Sequence, residues 1–380
     1  MRTLSGPRGR AHVDKTALVI GGTGPTGPPI IRGLQERGYR PVMLHSGKHE
    51  VEEVGPDKLE HIHTDANFAE TLTEGIGDRT FDLVIATYGR LRLLPEVLRD
   101  RTPRLITVGG TIYDTKYSRA ATEDSPRDLH HKIYVKIVET EQVLMDAHAA
   151  GVFNVTHLRY PNLYGPRQLA PREWSIIRRI RDGRRRLPIL DAGLTLESRS
   201  YVDNAAHAVL LTVDHPEEAA GQAYSVVDEY TPSDADRVHA MAAVMGAEVE
   251  LVSFPPNAGR PAWYWGIGRS LRWGQDGTPP PTTHSLIDMA KMKEQLGYRD
   301  LVDFPGAIER TVNFYLENSP EPGGEEERQL SDAFDYEAED AFLAAYDRFV
   351  GECESIPFEG VVYRHQYDHP KAPASASTAH

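Results

Sequence analysis

The chain has 380 residues, 56 acidic against 42 basic, giving a formal net charge of −14, with 40% hydrophobic and 26% charged residues. This composition suits a globular protein with a real core, and the acidic balance argues against nucleic-acid binding through the general surface. The single cysteine, Cys353, excludes an intrachain disulfide, and no apolar stretch approaches the roughly 20 residues that span a bilayer.

The segment 1–15 is basic but has no apolar run of the kind a secretory signal carries, so a cytoplasmic enzyme or binding protein is expected. Strand-like segments follow over 17–20, 41–44, 59–63, 81–86, 104–108 and 154–159. Helix-like segments fall between them over 28–37, 68–76, 91–98 and 133–150. Strands alternating with helices predict an α/β fold, a doubly wound parallel sheet with helices on both faces. After residue 161 the order becomes irregular. Short helices over 174–181, 204–213, 232–245 and 288–296 suggest a smaller substrate lobe. The stretch 319–327 reads as a Pro/Gly/Glu linker. Phe334, Ala338, Ala341, Phe342, Ala345 and Phe349 then predict an acidic amphipathic helix over 331–351. The expected division is a tail over 1–15, a nucleotide-binding domain over 16–165, a substrate lobe over 166–318 and an acidic extension over 319–380.

The chemistry starts at Gly21-Gly22-Thr23-Gly24-Pro25-Thr26-Gly27, which links the first strand to the first helix. A strand that turns through glycines into a helix start gathers peptide N–H groups and a positive dipole end at one spot, which suits a pyrophosphate. Gly21 serves the tight turn, Gly24 lets phosphates approach, and Gly27 lets the helix pack close.

Three later segments add a family resemblance. Arg159-Tyr160-Pro161-Asn162-Leu163-Tyr164-Gly165-Pro166, Arg199-Ser200-Tyr201-Val202-Asp203-Asn204-Ala205, and Asp288-Met289-Ala290-Lys291 with Gln295-Leu296-Gly297-Tyr298 resemble elements of the extended short-chain dehydrogenases/reductases. These are the NAD(P)-dependent epimerase/dehydratase branch. The resemblance covers about 16–318 and implies a Rossmann domain with a small C-terminal α/β substrate lobe; the helical extension lies beyond it. It implies cofactor contacts from Gly21, Thr23, Gly24, Pro25, Thr26 and Gly27, from Asp65 and Ala66, from Ala86, Thr87 and Tyr88, and from Tyr160, Pro161, Asn162 and Leu163. The second strand ends in His45, Ser46 and Lys48, with no carboxylate for a ribose 2′-hydroxyl. A hydroxyl and an ammonium suit a 2′-phosphate, so NADP is expected ahead of NAD.

The chain departs from the family at its catalytic pair. Counting between Thr122-Glu123-Asp124-Ser125-Pro126 and Glu141-Gln142-Val143-Leu144 puts Ile133 and Ile137 where the family has the Tyr and Lys of Tyr-x-x-x-Lys. Tyr134 and Lys136 each stand one residue away, about 100° around a helix. Gly109 aligns with the usual Ser, and Thr111 keeps a hydroxyl two residues on. An active enzyme would then use relocated donors, with Thr111, Tyr134 and Lys136 as the catalytic candidates and His130, His131 and Lys132 nearby. Two other readings are a nucleotide-sugar epimerase/dehydratase-like enzyme or a non-redox isomerase or cyclase with bound NAD(P), and a non-catalytic NAD(P)- or RNA-binding protein resembling the chloroplast stem-loop RNA-binding branch.

Tyr113, Asn162 and Arg199 are the substrate-side candidates, Arg199 as a diphosphate contact. The arginines at 178, 179, 181, 184, 185 and 186 either attract an anionic substrate or pair with acids. They lack the interleaved aromatics of a base-stacking surface, so nucleic acid is not the expected partner. Trp263, Tyr264, Trp265 and Trp273 either close over an apolar substrate or pack in an interface. His61 and His63 alternate on a strand, and His365 and His369 lie near the C-terminus. With no third ligand at metal-site spacing, no metal is expected. A homodimer through the helices over 91–98 and 133–150 is expected by analogy.

Overall fold

A computed structural model describes residues 15–114, 119–255, 284–330 and 332–367. The aromatic segment 263–273, His369 and most of the basic tail lie outside these residues. Seven strands form one sheet: β1 (Lys15–Ile20), β2 (Tyr39–His45), β3 (Glu60–His63), β4 (Leu83–Ala86), β5 (Arg104–Gly110), β6 (Asn154–Tyr160) and, later in the chain, β10 (Gln222–Ser225). All pair in parallel, in the order β10-β6-β5-β4-β1-β2-β3. The segments 17–20, 42–44 and 83–86 of β1, β2 and β4 are apolar throughout because helices cover both faces.

Alternation divides those strands between two cores. Ala17, Val19, Met43, Leu83 and Ile85 pack with α1 (Gly27–Glu36) and, later in the chain, α6 (Val202–Asp214). Leu18, Ile20, Leu44, Val84 and Ala86 pack with α2 (Ala69–Ile76), α3 (Leu94–Val97) and α4 (Lys132–Ala149). The helix expected over 91–98 is a 3₁₀ turn, Leu91–Leu93, followed by α3. Pro95 lacks the N–H that would have closed a continuous α-turn there.

The chain after residue 161 builds smaller units and then returns to the sheet. The strands β7 (Leu163–Tyr164) and β9 (Ser200–Tyr201) form one parallel pair, and β8 (Arg186–Leu190) and β11 (Glu250–Phe254) form another. Helices α5 (Arg172–Arg181), α7 (Asp234–Val244) and α9 (Phe304–Glu317) pack around one another, while α8 (Ala290–Leu296) lies by β10.

The chain divides after Asp335. The stretch read as a linker belongs to the larger unit and runs into the start of α10 (Glu325–Leu330), whose Glu327 is buried. The second unit begins with α11 (Tyr336–Glu354), close to the expected amphipathic helix.

Candidate active site

The strand order reverses direction around β1, which pairs with β2 on one side and β4 on the other. In a doubly wound sheet a crevice opens at the carboxyl ends of such strands. The glycine turn lies there. Gly21 has φ +91°, and a β-carbon on it would stand 2.4 Å from Tyr88 Cβ. A β-carbon on Gly27 would lie 1.9 Å from the Gly22 carbonyl oxygen, so only glycine lets the helix start this close. Gly24 differs: its nearest neighbour would be 3.7 Å away, and it borders open space.

Prolines at 25, 28 and 29 carry no N–H, and Gly21, Gly24 and Gly27 donate to Leu44, Gly21 and Gly24 carbonyls. Among the described residues the N–H groups of Gly22, Thr23 and Thr26 meet no backbone acceptor, which makes them the candidates for holding an anion. Across the crevice, Thr87 Oγ1 donates to the Gly21 carbonyl at 3.2 Å, Ala86 is enclosed at the end of β4, and Tyr88 is exposed. Such a cradle fits a dinucleotide pyrophosphate.

At the end of β2, Ser46 and Lys48 are exposed but His45 is buried. His45 Nε2 lies 3.0 Å from His61 Nδ1, across the β2–β3 pair. Asp65 Oδ1 accepts from the Asn67 N–H and side-chain amide, each at 2.9 Å, and the backbone bond holds its carboxyl below the usual range. Ala66 packs under Gly89 and accepts from Arg90 N–H through its carbonyl.

A cavity of about 380 Å³ opens between the carboxyl end of β5, the turn after β4 and α4. Its lining includes Gly109, Ile133, Lys136, Ile137, Thr140 and His157. Positions 133, 136 and 137 share one helix face, so Lys136 lies beside the two isoleucines. Tyr134 and Thr111 are not among the lining residues; Tyr134 stacks near His131, with ring centroids 5.5 Å apart.

His157 is the residue that sequence reasoning passed over. It points from β6 to the α4 side with Val155 and Arg159, and a histidine on the inward alternation of a buried strand was the available signal. Its Nδ1 lies 2.7 Å from Thr107 Oγ1. Its Nε2 has no hydrogen-bond partner and stands 3.6 Å from Glu141 Oε2. Burial pushes its pKa down to about 4 and keeps the ring neutral at pH 7.

The substrate-side candidates are engaged inside the protein. The Tyr113 hydroxyl lies 2.7 Å from Ser225 Oγ and accepts from Arg159 at 2.7 Å, and burial raises its pKa. Arg159 is held in turn by Glu141. Tyr160 donates to the Ala205 carbonyl at 2.8 Å, tying β6 to α6. Asn162 joins Glu197 and Arg172 at 2.8 and 2.9 Å, between half-exposed Pro161 and Leu163 at the start of β7. Arg199 is wholly enclosed between Glu197 and Glu173, at 2.8 and 3.0 Å, so its charge is already compensated. Burial raises the Glu197 pKa, but Arg199, Arg172 and Asn162 together outweigh it and hold the group at about 2.

Within the arginine run, Arg178, Arg179, Arg181 and Arg186 are likewise paired with acids, while Arg185 donates to the Ile180 and Arg184 carbonyls. Arg178 meets Glu327, Arg179 meets Asp332 and Arg186 meets Glu250. Trp174 Nε1 also donates to Glu327 at 2.9 Å, and Arg178 lies 4.0 Å from the Phe334 ring centroid.

Strand order, glycine crossover and switch-point crevice define a doubly wound, Rossmann-like α/β protein of the extended short-chain dehydrogenase/reductase fold. Residues 89–226 match the NAD dependent epimerase/dehydratase family. A UDP-glucose 4-epimerase from Thermotoga maritima, solved with UDP-glucose, superposes with a TM-score of 0.64 at 18% identity, over 80% of this chain and 100% of that one. A dTDP-glucose 4,6-dehydratase from Streptomyces venezuelae, solved with NAD and TYD, gives 0.62 at 20% identity, over 80% and 98%. An uncharacterized protein of Sinorhizobium fredii is 26% identical over 211 residues, 52% of this chain. The match spans 57% of that relative's length. No helix among the described residues is long and apolar enough to cross a membrane.

Proposed function

We propose that this protein is an NAD(P)-dependent oxidoreductase of the epimerase/dehydratase class. It transfers a hydride to or from a carbonyl or alcohol carbon of a small organic or nucleotide-linked substrate, prefers NADP, and uses a proton donor other than the usual tyrosine–lysine pair. The observation that carries this reading is one juxtaposition at the carboxyl ends of β1, β4 and β5. An open anion cradle at Gly24 and a cavity bearing Lys136 and His157 share that end of the sheet.

A bound nicotinamide supplies or accepts the hydride. The chain's own part is to hold the dinucleotide and to move the proton at the substrate oxygen. The N–H groups of Gly22, Thr23 and Thr26 hold the pyrophosphate, and exposed Ser46 and Lys48 meet the 2′-phosphate. Lys136, the ammonium at the cavity, gives or takes the proton, while Ile133 and Ile137 stand where the resemblance expects the dyad. Thr111 and Tyr134 are weaker candidates because neither lines the cavity. A cytoplasmic homodimer is part of the same reading.

Fluorescence titration with NADPH and NADH tests the cofactor side. Lys48→Ala is expected to weaken NADPH about tenfold and NADH little, one charge–phosphate contact being removed. Equal losses would refute the 2′-phosphate assignment. Lys136→Met is expected to lower kcat by about 100-fold in NADPH-dependent reduction of a carbonyl panel, within the range for a lost general acid.

A second reading is favoured by the ligands of the structural neighbours: a nucleotide-sugar epimerase or dehydratase with a recycled cofactor. Turnover of UDP-glucose or dTDP-glucose without net NAD(P)H change would select it. The enclosed pairing of Arg199 weighs against a diphosphate contact at that residue.

A further inference from the structure

The ends of β2 and β3 bring together a group of side chains with no part in the reading above. His45 and His63 are register partners across the parallel pair, and His61 lies two residues before His63 on the same face. Their ring centroids are 4.8 to 5.7 Å apart. The turn after β2 brings Glu50 over them. Its Oε1 lies 3.4 Å from His63 Nε2 and 3.7 Å from His45 Nε2, and its Oε2 lies 3.7 Å from His61 Nδ1. One donor atom from each of the four residues falls within 4.8 Å of all the others.

We propose that His45, His61, His63 and Glu50 form a binding site for a divalent transition metal, zinc by its ligand set. A tetrahedral zinc ion with bonds of about 2.0–2.1 Å has ligand atoms about 3.3–3.4 Å apart. The measured separations, beginning at 3.0 Å between His45 Nε2 and His61 Nδ1, bracket that value. Three imidazoles and one carboxylate are ligands zinc accepts, and hard oxygen-seeking cations prefer other sets.

The surroundings support ligation. His61 Nε2 lies 2.8 Å from the Val54 carbonyl, a bond that puts the proton on Nε2 and leaves the Nδ1 lone pair facing the cluster. His45 Nδ1 lies 3.3 Å from the Gly47 N–H. Ligation through Nε2 moves the His45 proton to Nδ1 and opens that long contact. The His63 side chain is 54% exposed and Glu50 44%, so an ion enters from solvent. Four protein ligands close the coordination sphere, as in structural rather than catalytic zinc sites. The ion would clamp edge strand β3 to β2 and to the turn carrying Glu50.

The test uses the full chain without a polyhistidine tag, stripped with chelator and titrated with ZnCl2 by calorimetry, with CoCl2 absorption as a second readout. One ion per chain is expected, with the visible bands of tetrahedral cobalt. The two exposed ligands allow variants that spare the core: His63→Ala and Glu50→Gln are each expected to weaken zinc at least about tenfold. Zinc uptake unchanged in both variants, or no uptake by the wild-type chain, overturns the proposal. The titration contains no nucleotide, so its outcome is separate from that of the NADPH measurement.

Discussion

Gly109 and His157 compete for the same volume: a β-carbon at position 109 would stand 2.6 Å from His157 Nε2. The imidazole cannot retreat easily, being 1% exposed and held at Nδ1 by Thr107. Gly109→Ser, which restores the hydroxyl found in the family pattern, is therefore expected to destabilise the protein by about 1–3 kcal/mol through overpacking. Urea unfolding measures it. Adding His157→Ala should recover part of the loss, with a coupling of at least about 0.5 kcal/mol. Strict additivity would mean that the two positions do not share the space.

The same histidine predicts a pH dependence. Its pKa falls from 6.5 to about 4 on folding, driven first by burial. Between those values the unfolded chain holds a proton that the folded chain does not. Stability is therefore complete above about pH 6.5 and declines as pH drops toward 4, by about 3 kcal/mol in total. Asp300 opposes this, since burial raises it to about 6 and its protonation favours the folded state as pH falls. The difference between wild type and His157→Gln isolates the histidine. Between pH 7.5 and 5 wild type should lose about 2 kcal/mol relative to the variant, and parallel curves would contradict a buried neutral ring.

The sheet was legible because its inner strands are buried on both faces and appear as unbroken apolar runs, as at 17–20 within β1 and at 83–86 within the expected 81–86. The glycine turn was equally readable, since Gly21 and Gly27 meet backbone or side-chain atoms that exclude a β-carbon. What stayed hidden depended on partners distant in sequence. His45 is close to His63 only through the β2–β3 register, so spacing along the chain gave no third ligand. Arg178 and Arg179 resembled a cationic face until Glu327 and Asp332 arrived from about 150 residues away. Lys136 reaches the cavity by sharing a helix face with Ile133, which a one-residue mismatch in the family pattern obscured.

The Arg179–Asp332 pair gives a third prediction. Both side chains are fully buried, with N–O distances of 2.7 and 3.0 Å, and Ser175 also donates to Asp332. Asp332→Ala leaves an enclosed guanidinium without its counter-charge and should cost about 3–5 kcal/mol. Replacing both partners, Arg179→Met with Asp332→Leu, removes the stranded charge and should regain much of that loss. Thermal unfolding of the three chains tests this. A mild effect for Asp332→Ala would show that the segment before Asp335 is not fastened to α5 as the geometry indicates.

Two glycines in the crossover separate folding from ligand binding. At Gly27 a methyl group would overlap the Gly22 carbonyl oxygen at 1.9 Å, a clash with backbone that no rotamer relieves. Gly27→Ala should lose at least about 2 kcal/mol of stability, and nucleotide binding with it. At Gly24 the nearest atom is 3.7 Å from the added carbon, so the free protein tolerates the methyl group, with stability changed by less than about 1 kcal/mol. The methyl group then occupies the space through which phosphates approach Thr23 and Thr26. Gly24→Ala is expected to keep the wild-type melting temperature within a few degrees while NADPH affinity falls at least about tenfold. Wild-type affinity in that variant would place the dinucleotide's phosphates elsewhere, because the cradle at Gly24 has no other means of sensing one added carbon.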